Sequence, residues 1–499
     1  MAANFLGRGY TALVTLAIVP LLTRVLGPDL YGLLAAAAVI GGLGGLMNLG
    51  MGTALCKMAS EMAGASEVAR IGELFRTAFG IALITGAVAG GLVIAFRHAL
   101  EAALVHGGTA VQRDAGFALV ITGFALALAL ATEPLSAIPQ ALQRFDLCAL
   151  VRGASATVGA AGVVAVLALG FSLRAVLTVQ LVAAAVLFLA YLPVVRRLLP
   201  GVKLMPKLGR RDLAALLRFS FPVVLAALGA FAVHRLDRLL VAHFLPVAAV
   251  AFYAVPYTLA QKATLLSGDV ASVVLPSASE ISARRDPAQL RELYLRSQKA
   301  VILLAVPVTI ALAVAAGPIL RIYAGSVFAR QGSLVLLLLA GGFLLNAMGY
   351  IPGVVAQGVG RPAIFAKFSL LNAAVSVALF VILVPRFGIS GAGAGFLAAE
   401  GVVIPLFLRR VHRLLGVPWR AFGRRALLAP ALCGTCMLVP LLAASAAASG
   451  TGISCAAAAL AISGFGAAAW RFGLDTVERD HVCALMASKL WARSAAGGA

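Results

Sequence analysis

Stretches of about 20 residues, the length of helix that crosses the hydrocarbon core of a bilayer, recur along this chain without a single Asp, Glu, Lys or Arg. The clearest run from Leu30 to Cys56, Thr77 to Phe96, Gly153 to Leu173, Ala175 to Val195, Leu239 to Gln261, Ala300 to Leu320 and Gln331 to Gly360. Ala426 to Trp470 holds 45 uncharged residues, room for two helices joined near Ser445 to Ser454. Weaker stretches lie at 6–26, 115–138, 214–238, 364–385 and 390–408. The pattern predicts an all-α integral membrane protein with about fourteen transmembrane helices. Composition agrees. Charged residues make up 12% of the 499, against about 25% in a soluble domain. So few charges cannot wet the surface of a chain this long, so that surface faces lipid.

Lys and Arg accumulate on the cytoplasmic side of a membrane, which supplies an independent check. With the N-terminus placed inside, thirty of the forty basic residues fall in inward segments and seven in outward ones. The inward set includes seven between Arg196 and Arg218, five between Arg284 and Lys299, and six between Arg409 and Arg425. A miscounted span would scramble this alternation, so both termini are expected inside. Arg8, ahead of an apolar run that Arg24 closes, reads as a first helix that is retained rather than cleaved. The formal net charge of +22 is then orientation signal and contact with anionic headgroups, and a nucleic-acid partner is not expected.

Transporters are often built from repeated halves with the substrate path between them. Here a parallel repeat shows at an offset of about 215–220 residues. Leu26-Gly27-Pro28-Asp29-Leu30-Tyr31-Gly32 opens the second helix, and Phe244-Leu245-Pro246 with Ala251-Phe252-Tyr253 opens the eighth. Likewise Gln143-Arg144-Phe145 precedes helix five, and Gly358-Val359-Gly360-Arg361-Pro362 precedes helix eleven. The expected organisation is a six-helix bundle over residues 1–200, a second over 201–415, and two extra helices with a cytoplasmic tail over 416–499.

Several of these segments carry a resemblance. Leu22-Thr23-Arg24-Val25-Leu26-Gly27-Pro28-Asp29-Leu30-Tyr31-Gly32, continuing through Asn48-Leu49-Gly50-Met51-Gly52-Thr53-Ala54-Leu55, resembles the opening of the polysaccharide (O-antigen type) flippases. These belong to the multidrug/oligosaccharidyl-lipid/polysaccharide exporter superfamily. Asp237-Arg238-Leu239-Leu240 leading to Phe252-Tyr253-Ala254-Val255, Leu275-Pro276-Ser277-Ala278-Ser279-Glu280, and Val384-Pro385-Arg386-Phe387-Gly388-Ile389-Ser390-Gly391-Ala392 are similar as well. The likeness is spread over residues 5–410. It implies two six-helix bundles around a central cavity, alternating access, and an undecaprenyl-diphosphate-linked glycan as substrate. A polysaccharide polymerase or glycosyltransferases are the protein partners it implies. Helices thirteen and fourteen lie outside the common twelve-helix core. A fourteen-helix count is also similar to the flippase of the peptidoglycan precursor, which leaves the glycan open.

A diphosphate headgroup bearing sugars must cross about 30 Å of hydrocarbon, so basic residues in a solvated cavity are the groups to seek. Ionisable residues inside a span are costly and point to function. With helix eight starting near Ala248, Lys262 lies about 21 Å in. It either faces the cavity or pairs with Asp269. Arg235 and Arg238 share a face of helix seven, beside His234 and Asp237, and either bind substrate or anchor at the headgroups. Arg24 ends helix one at the same outer level. Glu400, about 15 Å into helix twelve, is the first candidate for coupling to protons or sodium, with Gln180 at the matching place in the first half. Glu133, beside Pro134, and Asp237 are the other candidates. Arg152 reads as an inner anchor. No metal site or cofactor is expected: Cys433 and Cys436 sit in an uncharged run without a second pair, and Gly41-Gly42-Leu43-Gly44-Gly45 reads as helix packing.

Two other functions make different demands on the sequence. A drug or metabolite cation antiporter of the same superfamily would share the fold but favour carboxylates and aromatics in its cavity. A membrane enzyme such as a glycan polymerase or ligase needs a sizeable outward loop, whereas the longest here, Arg97 to Asp114, has 18 residues. No Walker motif is present for an ATP-driven pump. The topology has a direct test. In a variant stripped of native cysteines, Gly201→Cys should resist a membrane-impermeant maleimide in intact cells; labelling from outside would contradict the inward assignment of Arg196–Arg218.

Overall fold

The computed structural model of the chain describes residues 2–42, 51–64, 68–104, 108–202, 205–207, 209, 212–213, 216, 235–446, 451–473 and 479. Among them every regular element is helical. In order these are α1 (Ala2–Gly42), α2 (Met51–Gly64), α3 (Val68–Ala95), α4 (Arg97–Leu104), α5 (Thr109–Ala141), α6 (Phe145–Ala168), α7 (Leu173–Leu198) and α8 (Leu236–Phe244). Next come α9 (Val247–Ala260), a 3₁₀ turn (Gln261–Thr264), α10 (Leu265–Ala283), α11 (Pro287–Val314), α12 (Ala316–Ala324), α13 (Ser326–Ala347) and α14 (Tyr350–Gly358). The chain continues with α15 (Pro362–Leu415), α16 (Trp419–Phe422), a π turn (Gly423–Leu427), α17 (Leu428–Ala446), α18 (Thr451–Ala468) and a second π turn (Ala469–Gly473).

Among the described residues, nine helical runs are long and apolar enough to cross a membrane. They correspond to most of the charge-free stretches, with two instructive differences. The stretch Leu239–Gln261 is not one helix, because α8 ends at Phe244 and α9 starts after Leu245-Pro246. A proline sets its own φ and lacks an N–H, so it starts a helix more readily than it continues one. Conversely, helix persists through α10 past the charged Lys262 and Asp269, where the uncharged stretch stops. Absence of charge marks depth in the membrane, not helix ends. The body of the seventh expected span, 217–234, lies outside the described residues, as do His234 and the segment Leu43-Gly44-Gly45.

Large apolar side chains stand exposed at helical spacing, for instance Ile84, Val88 and Leu92 on α3. In water such a stripe would be a liability; facing lipid it is ordinary solvation. Inward faces pack on small residues. Where α3 crosses α5, the Gly90 and Gly123 backbones meet so closely that a methyl group on either would strike the other's carbonyl.

The chain divides into two compact units. The first comprises residues 1–255, 320–332 and 369–395. Its main core joins α2, α3, α5 and α7 around Met51, Leu55, Phe75, Leu135 and Tyr191, with Phe75 stacked on Phe79 and Phe79 on Phe188. The second comprises residues 256–319, 333–368 and 396–499. There Tyr257, Phe343 and Phe396 form a triangle of rings, and a larger core gathers Tyr294, Ile351, Phe407, Val411 and Phe422.

The internal repeat shows in the backbone at its turns. After α5, the N–H groups of Leu142, Gln143 and Arg144 bond to the carbonyls of Ile138, Gln140 and Pro139, with Gln143 at φ 59°. After α14, Val359, Gly360 and Arg361 bond in the same pattern to Val355, Gln357 and Ala356, with Gly360 at φ 78°. From Gln143 to Gly360 is 217 residues, the same spacing as from Thr109, which starts α5, to Ser326, which starts α13. A left-handed residue after a helix satisfies its last carbonyls, and an arginine follows in both turns.

Gly388 performs a similar task inside α15. At φ 59° and ψ −141° it holds a conformation that L side chains scarcely reach. There it turns the chain back, so that Gly391 lies against the Leu383 carbonyl and Gly395 against the Phe380 ring. Replacing Gly388→Ala should therefore destabilise the protein by about 1–3 kcal/mol, read as a lower thermal-unfolding midpoint in detergent. An unchanged midpoint would contradict the hairpin geometry.

Candidate functional site

Lys262 sits where one helix gives way to the next. Between α9 and α10 the backbone tightens into the 3₁₀ turn Gln261–Thr264, one turn after Pro256. The Thr264 hydroxyl donates to the Gln261 carbonyl at 2.9 Å, taking up an acceptor that the changed register exposes. A mid-helix 3₁₀ stretch is where hinges and ligand sites tend to occur. Lys262 is half-buried, and among the described residues it makes no ion pair or hydrogen bond; the pairing with Asp269 left open by the sequence is not formed.

Glu400 lies in the same unit and is fully buried in α15. The Asn346 amide of α13 donates to its Oε1 at 2.9 Å. Tyr350, which opens α14, lies beside Thr264 of the 3₁₀ turn and within electrostatic reach of Glu400. A string of polar side chains thus links the turn that carries Lys262 to a carboxyl removed from solvent. Such a carboxyl must be protonated, paired or bound to a cation.

The remaining candidates belong to the first unit. Asp237 is fully buried at the start of α8. Its carboxylate accepts the Tyr253 hydroxyl at 2.8 Å and the Arg238 backbone N–H at 2.8 Å. Tyr253 is fully buried as well, so this pair fastens α8 to α9. Arg238 is half-buried near Tyr31 of α1. Arg235 is exposed, and its guanidinium covers Gly42 at the end of α1. Arg24 is exposed and donates to the Ile322 carbonyl at 2.6 Å. Glu133 is exposed on α5 beside Gly52 of α2. Arg24, Arg235, Arg238, Asp237 and Glu133 therefore lie in one unit, Lys262 and Glu400 in the other. On α17, Cys433 is buried and Cys436 exposed, both as free thiols.

Sequence reasoning missed the partners Tyr253, Asn346 and Tyr350. For Tyr253 a signal existed, since Asp237 and Tyr253 belong to one family-like segment. Asn346 and Glu400 stand 54 residues apart in the chain, and no spacing rule joins them.

The Asp237–Tyr253 bond yields a stability test. A hydrogen bond to a charged group contributes about 1.5–3 kcal/mol, with smaller values measured between membrane helices. Tyr253→Phe should lower the unfolding free energy by about 1–2 kcal/mol. In Asp237→Asn the same change should have a smaller effect, measured as a double-mutant cycle. Additive effects would mean that the contact contributes nothing.

Comparison with known proteins bears on this arrangement. The family described as "Polysaccharide biosynthesis protein" matches residues 21–331. A probable low-salt glycan biosynthesis flippase, Agl15, of Haloferax volcanii is 27% identical over 182 residues, 36% of this chain and 38% of that relative. Among solved structures, the lipid II flippase MurJ in an inward closed conformation superposes with TM-score 0.75 at 14% identity, covering 95% of this chain and 99% of that one. An inward-facing multidrug resistance MATE family transporter of the MOP superfamily superposes with TM-score 0.71 at 13% identity, covering 81% and 94%. These structural likenesses show that the chain shares the fold of those transporters. Because the match runs across more than half of its residues, the chain belongs to the polysaccharide biosynthesis protein family.

Proposed function

We propose that this protein flips an undecaprenyl-diphosphate-linked oligosaccharide from the inner to the outer leaflet of a bacterial cytoplasmic membrane by alternating access. The family match and the glycan flippase relative support the class of cargo. One observation carries the mechanism: Lys262 stands in the 3₁₀ turn between α9 and α10, with no ion-pair partner among the described residues. An ammonium so placed supplies the positive field that a crossing diphosphate needs. Arg24, Arg235 and Arg238 would receive the headgroup toward the outward end, and Glu400, Asp237 and Glu133 are the carboxyls available to couple transfer to protons or sodium. In this reading fourteen helices cross the membrane with both termini cytoplasmic. Residues 1–200 and 201–415 are the two bundles, and 416–499 carries the added helices. A polysaccharide polymerase or glycosyltransferases are the partners on either side of the step.

A second reading is favoured by the near-complete superposition with the lipid II flippase: the cargo would be a peptidoglycan precursor, which shares the diphosphate. A cation antiporter, the reading nearest the MATE neighbour, would instead depend on Glu400 and be indifferent to Lys262.

Lys262→Ala should abolish transfer of lipid-linked glycan while the protein accumulates at normal levels, and Lys262→Arg should retain part of it, since it keeps the charge and alters donor geometry. Glu400→Gln should remove dependence on the ion gradient and leave substrate binding. Normal glycan export by Lys262→Ala would defeat the proposal. In reconstituted vesicles, offering undecaprenyl-diphosphate oligosaccharide and peptidoglycan precursor separately decides between the two lipid cargoes.

A further inference from the structure

A cavity of about 900 Å³ opens in the second unit between α11, the segment around α16 and the π turn that follows α18. Its lining is strongly cationic. Arg296 and Lys299 reach it from α11, and Arg420, Arg424 and Arg425 from the segment that starts α17. Among the described lining residues one carboxylate, Glu292, faces these five, and it is divided between Arg296 and Arg425, each at 2.7 Å. Lys299 is only 6% exposed, and charges on a low-dielectric wall act on a ligand more strongly than charges surrounded by water. Guanidinium groups present paired donors that match phosphate oxygens.

The apolar surroundings define the kind of phosphate. Leu295, Ala429 and Phe472 share the lining with the cations. From there Leu428 and Leu432, one turn apart on α17, continue as exposed apolar surface along a helix apolar enough to cross a membrane. A free phosphate ion has no use for such a lane, whereas a phospholipid places its headgroup in the cavity and its chains along the helix. Both flanking turns, Gly423–Leu427 with Arg424 and Arg425 and Ala469–Gly473 with Phe472, are π-helical, a geometry that recurs at functional sites. Basic pockets between membrane helices are the usual receptors of anionic headgroups.

We propose that this cavity binds the phosphate headgroup of an anionic membrane lipid, with the acyl chains lying along α17. The Lys and Arg distribution puts Arg284–Lys299 and Arg409–Arg425 on the inward side, which makes the cytoplasmic leaflet the source. The site depends on the chain spanning a membrane and is independent of the cargo assigned above.

Native mass spectrometry of the full-length protein in detergent tests it. The protein is offered phosphatidylglycerol, cardiolipin or phosphatidylcholine. Wild type should retain the two anionic lipids over the zwitterionic one. Arg420→Gln combined with Arg424→Gln, both at exposed positions, should lower that retention at least about tenfold, and Lys299→Met should act in the same direction. Arg409→Gln combined with Arg410→Gln removes the same charge outside the cavity and should retain lipid as wild type does. Equal retention by the pocket and control variants would overturn the site. Displacement of phosphatidylglycerol by an equal concentration of inorganic diphosphate would overturn the lipid as its source. Neither readout involves glycan transfer, so failure here and failure of the flippase reading are told apart.

Discussion

Hydrocarbon offers no partner to a backbone N–H or C=O, and each unsatisfied group costs several kcal/mol. Everything else in this protein is arranged around that constraint. It explains why every regular element among the described residues is helical, why turns close with residues in the left-handed region that take up the last carbonyls, and why a helix that must reverse does so at Gly388. It also makes any departure from regular helix informative, because such a departure persists in lipid only where protein or a polar cavity satisfies it.

Seen this way, the 3₁₀ turn at Gln261–Thr264 and the π turn at Gly423–Leu427 are related. Each interrupts a helix at a place rich in ionisable groups: Lys262 in the first, Arg424 and Arg425 in the second. The first is buttressed by Thr264 bonding within its own turn, with Tyr350 beside it. The second lines a cationic cavity. By contrast, Asp237 and Tyr253 form a hydrogen-bonded pair, fully buried on both sides, and that pair holds α8 on α9.

Repetition supplies the scaffold. Two turns 217 residues apart share hydrogen-bond pattern, left-handed residue and following arginine, although one uses Gln143 where the other uses Gly360. Glutamine at that conformation costs on the order of 1 kcal/mol, so the geometry outlasted the residue best suited to it. That is why the repeat is faint as letters and plain as backbone.

Period and composition alone determined the class: a charge deficit this large forces apolar faces into lipid, and lipid forces helix. Most of the apolar helices and the repeat offset were legible by counting, because uncharged stretches of sufficient length and a fixed spacing can be read directly along the chain. Tertiary structure decided what counting cannot reach. Asn346 meets Glu400 across 54 residues, Arg425 meets Glu292 across 133, and Tyr253 closes on Asp237. Each is set by how one helix packs on another, and packing depends on the shapes of many side chains at once rather than on any spacing within the chain.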